Sequence, residues 1–194
     1  MQTNILWAGR EYNSLENCLV NETPSGIAIS STIIGQYEEK IYKIEYQVKT
    51  NTRWETTWFE LISRHSNQKQ TISYHSDGKG NWTNAGQHLP LFNGCTDIDI
   101  RLTPFTNTLP IRRLQLQPGE TREIQVMYFD LLAAQITPVR QQYTCLSATE
   151  YHYQNIPNDF EANILVDDSG FVVDYPSLFV RTAAQESSYP YALL

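Results

Sequence analysis

Short segments in which apolar and polar residues alternate recur along most of the chain. The clearest is CTDIDIRL at residues 95–102, where Ile98, Ile100 and Leu102 fall on one face and charged residues on the other. Successive side chains of a β-strand point to opposite faces, so each such segment predicts a strand with one buried face. Short strands without helical periods between them predict an all-β, mainly antiparallel domain. Similar alternation occurs at residues 27–33, 42–48 and 124–128.

One stretch breaks this alternation. Residues 103–114, TPFTNTLPIRRL, set polar side chains and two prolines among aliphatic ones. Thr108 can cap a helix, a proline suits the first helical turn, and Ile111 and Leu114 lie three residues apart on one face. The spacing predicts a short helix over about residues 109–114, with its two arginines pointing away from the apolar face.

The secondary structure of two further segments has to be interpreted. Residues 137–146, TPVRQQYTCL, fit a helix that begins at Pro138, but they also alternate as a strand, and the EYHYQN that follows has a strand pattern. We interpret them as a strand. Near the end of the chain, FEANILV and FVVDY flank Asp168-Ser169-Gly170, which predicts a hairpin.

Size and charge limit the classes of protein that this chain can be. Its 194 residues fit one domain, which we expect to span residues 1–181, followed by a loose tail at residues 182–194. The net charge of −7 and the pI near 5.0 argue against nucleic acid or an anionic membrane surface as the partner. No uninterrupted apolar run is long enough to predict an integral membrane protein.

The cysteines and histidines give no sign of a disulfide or metal site. Cys18, Cys95 and Cys145 are odd in number and far apart, which predicts free thiols and a cytoplasmic location. The first residues lack the basic and apolar regions of a secretory signal. The histidines have no metal-ligand spacing, and no phosphate-binding glycine loop or nucleophile elbow occurs, so we expect neither a metal nor a cofactor.

The order of several landmarks resembles one bacterial family, the putative glycolipid-binding proteins, once catalogued as a domain of unknown function. The long segment GCTDIDIRLTPFTNTLPIRRL, residues 94–114, looks like the central signature of that family. Further similarity lies at Trp7, at Trp82, and in three segments after the signature: QQYT at 141–144, YHY at 151–153 and VDDSGFVVDYPSLFVR at 166–181.

The resemblance implies a spiral β-roll, in which a long antiparallel sheet is wound around a single short helix, usually in a dimer. The helix would then be the TPFTNTLPIRRL segment. The resemblance also implies that the protein binds a glycolipid or another amphiphile. A family name of this kind does not fix function, because function depends on the site that a fold carries.

Asp97 and Asp99 are the first candidates for chemistry. Residues two apart on a strand lie about 6.6 Å from each other on one face, which is within the carboxylate spacing of inverting glycosidases. The same two carboxylates can instead pair with Arg101, Arg112 or Arg113 and fix the helix against the sheet. A third alternative is direct contact with a ligand. We favour the structural pairing.

The polar residues in the predicted helix and just before it have two interpretations. The guanidinium groups of Arg112 and Arg113 could recognise phosphate, carboxylate or sugar hydroxyls. Asn107 and Thr108 could donate hydrogen bonds to a sugar, or could satisfy backbone groups at the helix start. For Thr108 we favour capping.

The aromatic content is the best bulk signal for a ligand. Twelve tyrosines and four tryptophans supply flat apolar faces with a polar edge, which suit sugars and lipid headgroups. Strand propensity also enriches aromatic residues. The candidate ligand-binding tyrosines of the C-terminal third are Tyr143, Tyr153 and Tyr175.

Three functional hypotheses follow. The leading one is a non-enzymatic, homodimeric binding or carrier protein whose glycolipid or amphiphile occupies a largely apolar cavity of roughly 300–1,000 Å³. The second is a sugar-directed hydrolase that uses Asp97 and Asp99 and leaves at least one of them open to a cleft. The third is a structural or interaction protein with a filled core.

Overall fold

The computed structural model describes residues 1–65 and 67–188. Within these ranges the chain forms fifteen β-strands, one α-helix (α1, Thr108–Leu114) and two 3₁₀ turns, at Pro90–Phe92 and Phe105–Asn107. The strands are β1 Gln2–Gly9, β2 Ser14–Thr23, β3 Gly26–Tyr37, β4 Lys40–Thr50, β5 Thr56–His65, β6 Gln68–Ser76, β7 Trp82–Asn84, β8 Gln87–His88, β9 Cys95–Ile100, β10 Thr121–Asp130, β11 Gln135–Ser147, β12 Glu150–Ile156, β13 Glu161–Val166, β14 Val172–Tyr175 and β15 Phe179–Ser187.

All fifteen strands belong to one sheet, in the order β8-β7-β6-β5-β4-β3-β2-β1-β15-β14-β13-β12-β11-β10-β9. Neighbours pair antiparallel except β9 and β10, which run parallel. The connection between those two strands contains α1, and parallel strands require a crossover connection of this kind. The predicted mainly-β, mainly antiparallel class is therefore confirmed, and the sheet is mixed because of its last pair.

Strands far apart in the sheet order meet in the core. The rings of Phe59 on β5 and Phe129 on β10 lie 5.2 Å apart, and Phe59 also packs against Trp82. Ten strand spacings separate β5 from β10, so a flat sheet would place them about 48 Å apart. The sheet is not flat, and residues from both of its ends share one core.

Helix α1 confirms the prediction for TPFTNTLPIRRL and begins one residue earlier. Its first turn is buried, and it ends where Gln115 adopts a left-handed conformation at φ 49°. The predicted cap is wrong, because the Thr108 hydroxyl is buried and has no hydrogen-bond partner among the residues that the structure describes. The preceding 3₁₀ turn takes over that role: the backbone N–H of Thr108 donates to the carbonyl of Phe105.

Three other expectations can be compared with the strands. Residues 137–146 lie within β11, which confirms the strand interpretation. β13 and β14 pair antiparallel on either side of Asp168-Ser169-Gly170, which confirms the hairpin. Strand β15 continues to Ser187 and pairs with β1, so the sheet extends past residue 182, where the tail was expected to begin. Residues 189–194 of that tail lie outside the described residues.

Candidate functional site

A pocket of about 240 Å³ lies where β9, the segment before α1, and the ends of several strands converge. We call it the aromatic pocket. Six aromatic side chains line it: Tyr12, Tyr128, Tyr153, Phe160, Tyr175 and Phe179. Its main polar lining residues are Glu11, Asp99, Arg101, Thr103, Asn107 and Asn155.

Asp99 supplies the half-buried carboxylate of this pocket. Its oxygens accept hydrogen bonds from the Thr106 hydroxyl at 3.1 Å and from the Gln141 amide at 2.6 Å. No ion pair to Asp99 occurs within residues 1–65 and 67–188. Burial raises the pKa of the carboxyl, and the two hydrogen bonds oppose that rise. The pocket therefore holds a carboxyl group that is hydrogen-bonded and has no ion-pair partner in the described ranges.

The tyrosines around Asp99 stay neutral at ordinary pH. Burial is the main cause that raises the pKa of the Tyr128, Tyr153 and Tyr175 hydroxyls, and the nearby charge of Asp99 raises each of them further. The Tyr153 ring lies 6.2 Å from that of Tyr175, which is itself 6.2 Å from the ring of Phe160. The result is a contiguous aromatic wall beside one acidic group.

Asn107 is held in place from behind the pocket. The buried Tyr143 hydroxyl donates to its side-chain oxygen at 2.9 Å, and its amide donates to the carbonyl of Pro104 at 3.3 Å. The Tyr143 ring also packs at 5.3 Å against that of Tyr153. Tyr143 thus supports the wall without lining the pocket.

Arg101 is the cation of the pocket lining, and its charge is already compensated. It donates to the Asp130 carboxylate at 2.6 Å and to the Tyr12 hydroxyl at 3.2 Å. Its guanidinium also lies 5.8 Å from the ring centres of Tyr12 and Tyr37. The sequence-based pairing of Arg101 with Asp97 or Asp99 is therefore wrong, because Asp130 takes it.

The two aspartates of the signature have different environments. Asp97 is completely buried and accepts two hydrogen bonds from Arg113, so the structural pairing predicted for it is confirmed. Asp99 pairs with none of the three arginines, which contradicts that prediction for this residue. The difference follows from α1, whose last turn brings Arg113 to Asp97, whereas Asp99 faces Gln141 from β11.

Arg112 and Thr108 lie away from the aromatic pocket. Arg112 donates to the carbonyl of Ser169 at 2.6 Å and stacks 4.7 Å from the ring centre of Trp54. It lines a separate depression of about 260 Å³ with Ile111 and the 167–170 turn.

Four of the nine predicted ligand residues line the aromatic pocket, and they are Asp99, Asn107, Tyr153 and Tyr175.

Several pocket residues were not among the sequence-based candidates. Tyr128 lies beside Asp99 because the two are register partners in the parallel β9–β10 pair. Tyr12, on the β1–β2 turn, belongs to no alternating segment. Phe160 and Phe179 lie near strand ends. A correct prediction of the β9–β10 pairing would have identified Tyr128 as a neighbour of Asp99.

Residues 1–65 and 67–188 contain no cluster of three or more potential metal ligands of the His, Cys, Asp and Glu types. In the same ranges, no helix has the length and apolar character needed to cross a membrane.

Comparison with known proteins gives one family and one structure. Residues 4–181 match the model of a family described as "Putative glycolipid-binding". The fold is similar to the crystal structure of a DUF1089 family protein from Pseudomonas aeruginosa, with 33% sequence identity and a TM-score of 0.76. That similarity covers 86% of this chain and 91% of the other. No curated protein matches the chain.

Proposed function

The chain belongs to the putative glycolipid-binding family, and from that premise we propose that it binds an amphiphile without changing it chemically, with the polar headgroup in the aromatic pocket. The observation that carries this proposal is the composition of the pocket lining. Six aromatic rings and hydrogen-bonding side chains such as Asp99, Asn107 and Asn155 surround one space. Aromatic faces stack on sugar rings, while the polar groups fix hydroxyls.

The size of the pocket determines which part of an amphiphile it holds. About 240 Å³ is below the range of roughly 300–1,000 Å³ typical of small-molecule sites, and the lining is more polar than the sequence-based hypothesis expected. A headgroup fits this volume, whereas a whole lipid does not. The acyl chain then lies outside the aromatic pocket.

The sheet wrapped around α1 belongs to the same proposal. The buried first turn of the helix and the contact between Phe59 and Phe129 support a roll in which the helix is the central plug. In such a roll α1 does not leave room for a continuous apolar channel. The headgroup site lies beside the N-terminal end of the helix, because Asn107, the residue before α1, lines the pocket.

The geometry favours binding over the two-carboxylate hydrolase. Glycoside hydrolysis uses a pair of carboxyl groups that flank the bond to be cut. Asp97 is buried in its ion pair with Arg113, so of the two proposed carboxylates Asp99 alone lines the pocket. Glu11 also lines it, but from the exposed β1–β2 turn.

Native mass spectrometry of the purified protein, followed by solvent extraction, tests the proposed function. We expect a co-purified amphiphile of unchanged mass that is released on denaturation. Phe160→Ala should lower its occupancy, because this half-exposed ring closes the wall. Leu146→Ala, which removes an exposed apolar side chain elsewhere, is the matched control. A clean apo mass, together with no shift of tyrosine resonances on titration with either a neutral or a cationic amphiphile (decyl glucoside or decyltrimethylammonium), would contradict the proposal.

A further inference from the structure

Building on the proposed headgroup site, we infer that the aromatic pocket selects a headgroup carrying an ammonium group, which pairs with Asp99 between the tyrosine rings. The geometric basis is the position of the Asp99 carboxylate, which has no ion-pair partner in the described part of the chain, beside an aromatic wall. The family description refers to a glycolipid and does not specify the charge of its headgroup.

The charged side chains around the pocket leave the carboxylate of Asp99 without a cationic partner among the described residues. Asp99 has two hydrogen-bond donors but no ion-pair partner within the described ranges. Arg101 is the basic residue of the lining, and its guanidinium is bound to Asp130. Glu11 adds a second carboxylate at the rim. An anionic headgroup would meet uncompensated negative charge here, whereas a cation would supply the missing partner.

The rings provide the second, independent argument. An ammonium group is attracted to the faces of aromatic rings, and cages of such rings are a common way to recognise it. The wall formed by Tyr153, Tyr175 and Phe160 is continued by Tyr128, the register partner of Asp99. A neutral sugar would use the same rings for stacking, but it would leave the charge of Asp99 unpaired.

Both an amino sugar and an amino-alcohol headgroup supply an ammonium group, so two pairs of probes separate these sources. Glucosamine is compared with N-acetylglucosamine, which has lost the charge. Choline is compared with 3,3-dimethylbutan-1-ol, which has the same shape without the charge. Tyrosine resonances of the full-length protein report binding in each titration.

We expect the charged member of at least one pair to bind about tenfold or more tightly than its neutral partner. Preference for glucosamine alone identifies an amino sugar, and preference for choline alone identifies an amino alcohol. Equal or tighter binding of the neutral members overturns the inference. If all four probes fail while decyl glucoside binds, the ammonium preference falls and the proposed function stands; if decyl glucoside and decyltrimethylammonium fail as well, both fall.

Variants assign the preference to the pocket. Asp99→Asn should abolish the advantage of the charged probe, whereas Asp168→Asn, which removes one charge in the separate depression beside Arg112, should preserve it. If Asp99→Asn does not fold, Phe160→Leu replaces it, because that side chain is 37% exposed. Loss of the ring should then weaken choline binding more than dimethylbutanol binding. An unchanged charge preference in the folded variant contradicts the inference.

Discussion

The guanidinium group of Arg113 donates two hydrogen bonds to the carboxylate of Asp97, from Nε to Oδ1 at 3.2 Å and from Nη2 to Oδ2 at 2.6 Å. This fork joins the last turn of α1 to β9, and the Asp97 side chain has no exposed surface. A third bond, from Arg113 to the Thr96 hydroxyl, completes the arrangement. The pair therefore fixes the helix to the edge of the sheet.

Asp97→Asn should strongly destabilise the protein, because it leaves a largely buried guanidinium without its charge partner. We expect the free energy of unfolding, measured by urea denaturation, to fall by roughly 3–5 kcal/mol. Glu123→Gln is the control, since it breaks the exposed pair with Arg140 and should cost at most about 1 kcal/mol. Similar losses in the two variants would show that the Asp97 pair does not hold α1.

A second buried carboxylate controls how stability depends on pH. One carboxylate oxygen of Glu16 accepts hydrogen bonds at 2.7 Å from both Ser31 and Tyr46. Its other oxygen has no partner within residues 1–65 and 67–188. Burial raises the pKa of this carboxyl from 4.5 to about 7, and the hydrogen bonds only partly oppose that rise. Between these two values the folded protein binds more protons than the unfolded chain.

The contribution of Glu16 to stability should therefore be complete below pH 4.5 and be lost as the pH rises to about 7. Over that window the free energy of unfolding should fall by about 1.4 kcal/mol per pH unit. Glu16→Gln should remove the part of this slope that Glu16 contributes, which urea denaturation from pH 4.5 to 8 would measure.

Glu45→Gln serves as the control for this slope. Hydrogen bonds from Lys43 and Arg64 lower the pKa of Glu45, so its protonation matters at more acidic pH. The slope between pH 4.5 and 7 should remain in this variant. Parallel curves for the wild-type protein and Glu16→Gln would show that Glu16 does not titrate in this window.

The fold was largely readable from local patterns, because alternation reports which face of a strand is buried. Ile98 and Ile100 are buried as their spacing predicts. Asp97, on the opposite face of the same strand, is equally buried, and the pattern could not show this. Its burial depends on Arg113 from α1, which reaches the strand only after the chain has turned back.

The aromatic pocket was less predictable, because it depends on pairings between distant segments. Asp99 was identified from its place in the signature. Tyr128 lies 29 residues further along the chain and becomes its neighbour only because β9 and β10 pair in parallel. Tyr12 comes from the first turn of the chain and reaches the pocket through Arg101. Local spacing carries no information on either contact.

Thr106 and Thr108 offer a matched test of how the start of α1 is held. The Thr106 hydroxyl donates to Asp99 and accepts from the backbone N–H of Ile100, whereas the buried Thr108 hydroxyl has no partner in the described part of the chain. Thr106→Val should lower the free energy of unfolding by about 1–3 kcal/mol. Thr108→Val should leave it unchanged or raise it by up to about 1 kcal/mol, because a buried hydroxyl without a partner is removed.

Thermal or urea denaturation of both valine variants distinguishes these expectations. A hydroxyl that caps the helix would make Thr108→Val lose about 1 kcal/mol. Such a loss would restore the capping role that the sequence predicted and contradict the assignment of that role to the 3₁₀ turn.

The connection between β6 and β7 contacts Gly94, the first residue of the signature, and allows the last prediction. Gly80 has φ 88°, its carbonyl accepts a hydrogen bond from the N–H of Gly94, and a Cβ at this position would lie 2.9 Å from the Gly94 Cα. Gly86 has a similar φ of 81°, but a Cβ there would meet no heavy atom of the described residues within 4 Å. Alanine at either site should cost about 1–2 kcal/mol from the left-handed backbone.

Gly80→Ala should cost about 1–3 kcal/mol more than Gly86→Ala, because backbone cannot move aside as a flexible side chain can. Gly94 immediately precedes β9, so the clash would also displace the strand that carries Asp97 and Asp99. Urea denaturation gives the difference in stability, and amide exchange of β9 residues would show the displacement. Equal losses in the two variants would mean that this connection yields without disturbing β9, and that its contact with Gly94 does not help to position the signature strand.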